Sequence, residues 1–196
     1  EITDMINRVF LRRDYTDFKG DRKFIRDDNA KKAFSKLRSA IGGGYFWRIN
    51  HAQAKGNMVE QARMIKEADF AFKQAFAFCP FSPEAVFRYN NLLVSLKRYD
   101  DALLITQTFL KFDPKNIAVQ QLQAQLHALK AQPQAAAQPA AAQAQIAQLQ
   151  QLFDQSPTNK AYGQQLYQTY MAVGNTNAAI AVIDKWMASP SPDLQT

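Results

Sequence analysis

The sequence is poor in the residues that support metal, disulfide or nucleophilic chemistry. It contains one cysteine and two histidines, and a single cysteine cannot form an intramolecular disulfide. His51 and His127 lie far apart, with neither H-x-x-x-H nor C-x-x-C spacing, so the sequence predicts no metal site. Cys79 lies in the apolar run FAFCPF, and we expect a buried thiol whose pKa is raised by its surroundings.

Glycine and long apolar runs are also scarce. Seven glycines and the lack of alternating apolar and polar residues argue against a β protein. No apolar run approaches the roughly 20 residues that a transmembrane helix needs, and no signal peptide is visible. These features leave the compartment open. The chain starts at Glu1 rather than at methionine, and we expect it to be a piece of a longer protein.

The remaining motifs that resemble reactive sites have simpler structural explanations. Asp27-Asp28 and Asp100-Asp101 are paired carboxylates, but the second pair opens a predicted helix, where the helix dipole favours acids. Gly42-Gly43-Gly44 lacks the G-x-x-x-x-G-K-[ST] pattern of a phosphate-binding loop. We expect the triplet to mark a break, a kink or a close approach of helices. The sequence therefore predicts no enzyme, no catalytic residue and no cofactor.

The positive charge is concentrated in the first third of the chain. The net charge is +7, and residues 1–66 hold 15 Lys or Arg against 8 Asp or Glu, whereas residues 67–196 hold nine of each. One interpretation is an arm that contacts nucleic acid or anionic lipid. The other is a solvated lead-in that packs its aromatic residues on the first helices, and the interspersed acids favour it. The basic residues concerned are Arg8, Arg12, Arg13, Lys19, Arg22, Lys23 and Arg26.

Residues 83–116 contain the clearest pattern, a pair of amphipathic helices within 34 residues. Ser82 is a suitable N-cap, and Pro83 occupies the first position of a helix predicted over 83–96. A second helix is predicted over 100–112, where Asp113-Pro114 ends it.

This segment resembles a tetratricopeptide repeat, whose period is about 34 residues. Tyr89 and Leu93 stand where that family has large apolar residues, and Ala102 stands at its small position where the two helices touch. Tyr99, Phe109 and Asp113-Pro114 complete the match, while Thr106 and Phe109 replace the family's usual aromatic and small residue. The resemblance implies an all-α fold, a right-handed superhelical stack of antiparallel helix hairpins. It implies binding rather than catalysis.

Helices are predicted on both sides of this repeat, and the one that follows it covers 117–131. A helix over 30–54 carries the apolar stripe Phe34, Leu37, Ile41 and Tyr45, and a long helix follows over 58–78. Its Ala68 and Ala75 fall one period before Ala102 and Phe109. The predicted organisation is a charged lead-in at 1–29, repeats at 30–131, an Ala/Gln/Pro linker at 132–140, C-terminal helices with a degenerate repeat and a capping helix at 141–189, and a tail at 190–196.

In this repeat family the first helices of successive repeats line a groove that binds a protein or peptide. Carried over by position, the groove residues here are Glu84, Phe87, Arg88, Asn91, Val94, Ser95, Gln121 and Gln125. Arg88 and Asn91 partly match the clamp by which some members bind a C-terminal carboxylate, but Phe87 replaces its lysine. An alternative is that Phe87 is covered by a neighbouring element of the same chain.

A wider resemblance concerns the run EADFAFKQAFAFCPFSPEAVFRYNNLL, residues 67–93. It is similar to the soluble C-terminal repeat region of large bacterial multi-pass membrane proteins regarded as glycosyltransferase-like. This resemblance implies a scaffold tethered to a membrane portion absent from this chain, and it transfers no catalytic residue. The predicted partner is a protein or peptide. The scaffold role and nucleic-acid binding through the basic third are the alternatives, and the latter is disfavoured.

Overall fold

The protein is all-helical throughout the part of the chain that the structure describes. The structure, a computed structural model, describes residues 1–131 and 139–188, and no strand occurs in these ranges. The elements are α1 Ile2–Met5, a π-helix Ile6–Leu11, α2 Arg22–Arg26, α3 Asp28–Ala54, α4 Met58–Phe78, α5 Pro83–Ser95, α6 Tyr99–Leu110, α7 Ile117–Ala131, α8 Pro139–Gln155, α9 Lys160–Ala172 and α10 Thr176–Met187. The predicted all-α class is confirmed.

Several helix ends follow from local capping residues. The Ser82 hydroxyl accepts a hydrogen bond from the Ala85 amide, and Pro83 is the first residue of α5, as predicted. Asn159 and Asn175 cap α9 and α10 in the same way. Helix α8 begins at Pro139, inside the segment predicted as a linker at 132–140, and proline is tolerated at the first position of a helix. The rest of that linker and the predicted tail at 190–196 lie outside the described residues.

The helices pack into two compact units. Unit 1 contains residues 1–47 and 65–131, and unit 2 contains residues 48–64 and 139–188. The long helices α3 and α4 therefore contribute residues to both units. Residues 48–64, which the sequence placed with the first repeats, pack with the C-terminal helices.

Small and aromatic residues together form the core of unit 1. Ala68, Ala75 and Ala102 are all completely buried, in agreement with their prediction as close-contact positions. Phe72 is also buried, and its ring stacks on Tyr89 with the centroids 6.1 Å apart. Helices α5 and α6 pack on each other, and α7 packs on α6.

Because Ala102 has no exposed surface, a larger side chain there has no room without displacing a helix. We expect Ala102→Leu to lower the free energy of unfolding by roughly 1–3 kcal/mol. Chemical denaturation followed by circular dichroism measures this loss. An unchanged denaturation midpoint would show that Ala102 is not at a helix contact.

The apolar stripe predicted along α3 is not its buried face. Phe34 and Leu37 are 51% and 57% exposed, whereas Ser35 and Ser39 on the same helix are buried. The glycine triplet does not break α3, which continues from Asp28 to Ala54. Instead a Cβ on Gly42 would stand 2.8 Å from the Phe72 ring, so this glycine permits the close approach of α3 to α4. Of the expectations for the triplet, the close approach is confirmed.

The N-terminal segment packs its apolar residues into unit 1. Ile6, Val9 and Ile25 are buried. Lys31 is buried as well; its ammonium group donates to the Ile25 carbonyl at 2.9 Å, pairs with Asp28 at 2.6 Å and lies over the rings of Phe10 and Phe81. The paired Lys31 lowers the pKa of the Asp28 carboxyl. This packing is what the interpretation as a lead-in predicts.

Unit 2 has a separate core of large residues from α4, α8, α9 and α10. Phe153, Leu166, Ala179 and Trp186 are buried in it. The Tyr167 hydroxyl donates a 3.0 Å hydrogen bond to Gln61, and burial raises the pKa of this phenol to about 12. Trp186, predicted to belong to a capping helix, is a core residue of this unit.

None of the helices in the described ranges has both the length and the apolar character needed to cross a membrane.

Candidate binding surfaces in unit 1

The predicted groove residues of α5 all lie on or near the surface. Glu84, Arg88, Asn91 and Ser95 are exposed, and Phe87 and Val94 are half-buried. The opposite face of α5 is core, with Ala85, Val86, Tyr89, Leu92 and Leu93 buried. The helix therefore separates a packing face from a face that is available to a partner.

Arg88 is positioned by two neighbours. Its Nε donates to Glu84 at 3.0 Å, one helical turn earlier. A Cβ on Gly43 of α3 would stand 3.0 Å from the Arg88 guanidinium, so the glycine leaves room for this group. This contact could not be predicted from the sequence, because Gly43 and Arg88 are distant in the chain and nothing local links them. Glu84 therefore already supplies a carboxylate partner to Arg88.

The other predicted groove residues differ in their exposure and in their hydrogen bonds. Gln121 and Gln125 are exposed on α7, which packs on α6, the helix that α5 also contacts. The Ser95 hydroxyl donates to the Leu92 carbonyl at 2.7 Å, which engages it within its own helix. Phe87 is half-buried. It is therefore neither fully exposed nor, as the alternative expects, fully covered by another element.

A polar cluster joins α4, α5 and α6. The Asp69 carboxylate accepts from the Tyr89 hydroxyl at 3.0 Å, pairs with Arg98 at 2.9 Å and pairs with Lys73 at 2.5 Å. Arg98 also pairs with Asp101. Burial and the Asp69 charge raise the pKa of the Tyr89 phenol, so it stays protonated and keeps donating. Sequence reasoning identified Tyr89 as an apolar position and missed this cluster.

A concave surface lies at the N-terminal side of unit 1, and we call it the aromatic pocket. Its volume is about 530 Å³, and five phenylalanines and an alanine provide much of its wall: Phe10, Phe18, Phe24, Phe34, Phe78 and Ala77. Pockets of this size and apolar character are typical of ligand sites. The sequence showed the aromatics of residues 1–29 but gave no sign that they converge with residues of α3 and α4.

The rings of the aromatic pocket support one another. The centroids of Phe24, Phe34 and Phe78 are 5.6 to 5.8 Å apart, and Phe24 meets both others edge to face. Phe18 lies over Gly20, where a Cβ would stand 2.4 Å from the ring. Glycine is therefore the residue that lets Phe18 lie against the backbone at this wall.

Cys79 and the side chains that could bind a metal are the remaining candidates for chemistry. Cys79 is buried, and desolvation raises the pKa of its thiol to about 11, as the sequence predicted. No group of three or more His, Cys, Asp or Glu side chains capable of holding a metal occurs among residues 1–131 and 139–188.

Comparisons with protein-family models, with curated proteins and with solved structures found no match to this chain.

Proposed function

We propose that unit 1 is a non-catalytic recognition module that binds a protein or peptide segment along the exposed faces of α5 and α7. We further infer that its helix pairs are tetratricopeptide-like hairpins arranged in a right-handed stack. The sequential packing of α5 on α6 and of α6 on α7 supports this arrangement. So does the complete burial of Ala68, Ala75 and Ala102 at the repeat's small positions.

The observation that carries the proposal is the outer face of α5. It presents an aromatic ring, a guanidinium and an amide from Phe87, Arg88 and Asn91, while the core lies on the other side of the helix. Arginine and aromatic side chains are the types that contribute most to protein interfaces. Phe87 retains unburied surface for a partner to cover.

A triple variant tests this surface. We expect Phe87→Ala, Arg88→Ala and Asn91→Ala together to abolish partner binding while helicity is unchanged, because Arg88 and Asn91 are exposed and Phe87 is only half-buried. The parent chain and the triple variant are each used to retain proteins from a lysate of the source organism. Each retained candidate is then purified, and its affinities for the parent and for the variant are determined.

The matched control replaces exposed residues of similar chemistry elsewhere in unit 1, namely Phe70, Gln107 and Lys115. A partner lost by the α5 variant but kept by the control would support the proposed site. Equal binding by the α5 variant and the parent would place the site elsewhere.

The scaffold role is a second candidate, favoured by the apolar surface that α3 and α4 leave exposed. Leu37 and Phe70 are 57% and 58% exposed on these helices. In this role the surface is covered by another part of a larger polypeptide, and no free partner is required. The absence of any retained protein in the experiment above would favour this role.

A further inference from the structure

The aromatic pocket leaves apolar surface exposed around a hollow. Phe34 is more than half exposed although its ring packs on two others. Phe18, Phe24 and Phe78 are only half-buried, whereas Phe10 is buried. An inserted apolar group would remove more of this surface from water, which is favourable. The volume of about 530 Å³ is within the range of small-molecule sites.

The side chains that line the aromatic pocket offer almost no polar contact. They are hydrocarbon except for the Met5 thioether and the Asp21 carboxylate, and Asp21 is the only ionisable residue of the lining. With Asp21 ionised, none of these side chains can donate a hydrogen bond. A ligand group that needs a donor, such as a carbonyl or a carboxylate, would lose its hydrogen bonds to water without replacement by these side chains. The part of a ligand that enters the hollow is therefore hydrocarbon.

Charges of both signs are disfavoured in the aromatic pocket. An anion would be repelled by the Asp21 carboxylate, which accepts a hydrogen bond from the Lys23 amide at 2.7 Å and so keeps its charge. A cation would approach the buried Lys31 ammonium group, which lies 5.6 Å from the centre of the Phe10 ring. Either ion would also exchange water for a wall of hydrocarbon. The occupant that these surroundings favour is uncharged.

We propose that the aromatic pocket is a binding site for an uncharged small molecule that carries an aromatic ring system. The ring system enters among Phe24, Phe34 and Phe78, whose contacts with one another are already edge to face or tilted. A hydroxyl or an aromatic N–H of the ligand can donate to the exposed Asp21 carboxylate. The site lies on different elements from the α5 face, and it does not depend on the function proposed above.

The lining favours a small molecule over a peptide. A peptide backbone carries a donor and an acceptor at nearly every residue, and these groups need partners when they are buried. Asp21 is the only lining side chain that forms strong hydrogen bonds, and it already accepts from the Lys23 amide. An aromatic ring system needs no such partners. The α5 face, by contrast, offers the polar groups of Arg88 and Asn91.

The test uses N-phenyl-1-naphthylamine, an uncharged probe whose fluorescence rises in apolar surroundings. We expect saturable binding to the full chain, weakened about tenfold by Phe34→Ala, which removes one ring of the wall. Ala77→Leu should weaken it similarly, because the larger side chain occupies part of the hollow. Phe70→Ala and Ala128→Leu are the matched controls, since both residues are exposed in unit 1 and neither lines the aromatic pocket. Each control should change the affinity by less than about twofold.

Three competitors with the same ring system test the charge of the occupant. They are naphthalenemethanol, naphthylmethylammonium and naphthaleneacetate, which are neutral, cationic and anionic. The alcohol should displace the probe at concentrations about tenfold lower than either ion, because it brings no charge to the apolar wall. Asp21→Asn removes the charge but keeps a residue suited to cap α2, so it should narrow the difference between the alcohol and the acetate. Circular dichroism and melting temperature establish that each variant is folded.

Several outcomes would overturn the proposal. These are the absence of saturable probe binding, equal affinity of Phe34→Ala and the parent, and displacement by either ion at the same or a lower concentration than by the alcohol. A dimer that Phe34→Ala dissociates, without probe binding, would assign the aromatic pocket to a second copy of the chain. The triple α5 variant should bind the probe like the parent, so failure of this site and failure of the proposed function are distinguishable.

Discussion

Replacing Phe72 with alanine is expected to lower the free energy of unfolding by about 3–5 kcal/mol, the usual cost of emptying a fully buried aromatic position. Phe72 is 1% exposed, stacks on Tyr89 of α5 and fills the space opposite Gly42 of α3. One ring thus joins three helices of unit 1. Urea denaturation followed by circular dichroism measures the loss.

A second substitution tests whether Phe72 and Gly42 are in contact. Gly42→Leu alone should destabilise the protein, because its Cβ would stand 2.8 Å from the Phe72 ring. In the Phe72→Ala background the same leucine should be much less harmful, since it enters the space that the ring left. Gly44→Leu is the control; a Cβ at Gly44 meets no atom within 4 Å, and leucine favours the helix. Equal costs of Gly42→Leu in both backgrounds would refute the contact.

Asp69→Ala is expected to lower the free energy of unfolding by about 3 kcal/mol, because it removes the shared partner of several polar groups. Tyr89 is 3% exposed and would lose the acceptor of its hydroxyl, and Arg98 would lose its 2.9 Å pair. This loss of unfolding free energy lies toward the lower end of the range for breaking a buried ion pair, because Arg98 keeps its ion pair with Asp101.

Asp101→Ala provides the matched control for this cluster. Its carboxylate also pairs with Arg98, at 2.6 Å, but half of its side chain is exposed. We expect a loss below about 1 kcal/mol, as for other solvent-exposed ion pairs. Guanidinium would screen these pairs, so urea is the appropriate denaturant for both variants. Losses of equal size would show that Asp69 contributes no more than a surface charge.

The sequence by itself determined the helices and most of their ends. Ser82 and Pro83 start α5, and the apolar periodicity predicts α4 and α7 with the bounds that the structure shows. These features depend on residues a few positions apart, because capping and amphipathicity act within one or two helical turns. The burial of Ala68, Ala75, Ala102 and Cys79 was also predictable, because it too depends on residues a few positions apart.

Only the tertiary structure decided which face each helix buries and which distant residues meet. On α3 Gly42, Ser35 and Ser39 are covered whereas Phe34 is exposed, and Gly42 lies where α4 brings Phe72 close. The contact of Gly43 with Arg88, the Asp69 cluster and the aromatic pocket all join residues from separate helices. Local periodicity does not predict contacts between residues that are far apart in the chain, because these contacts depend on how whole helices pack.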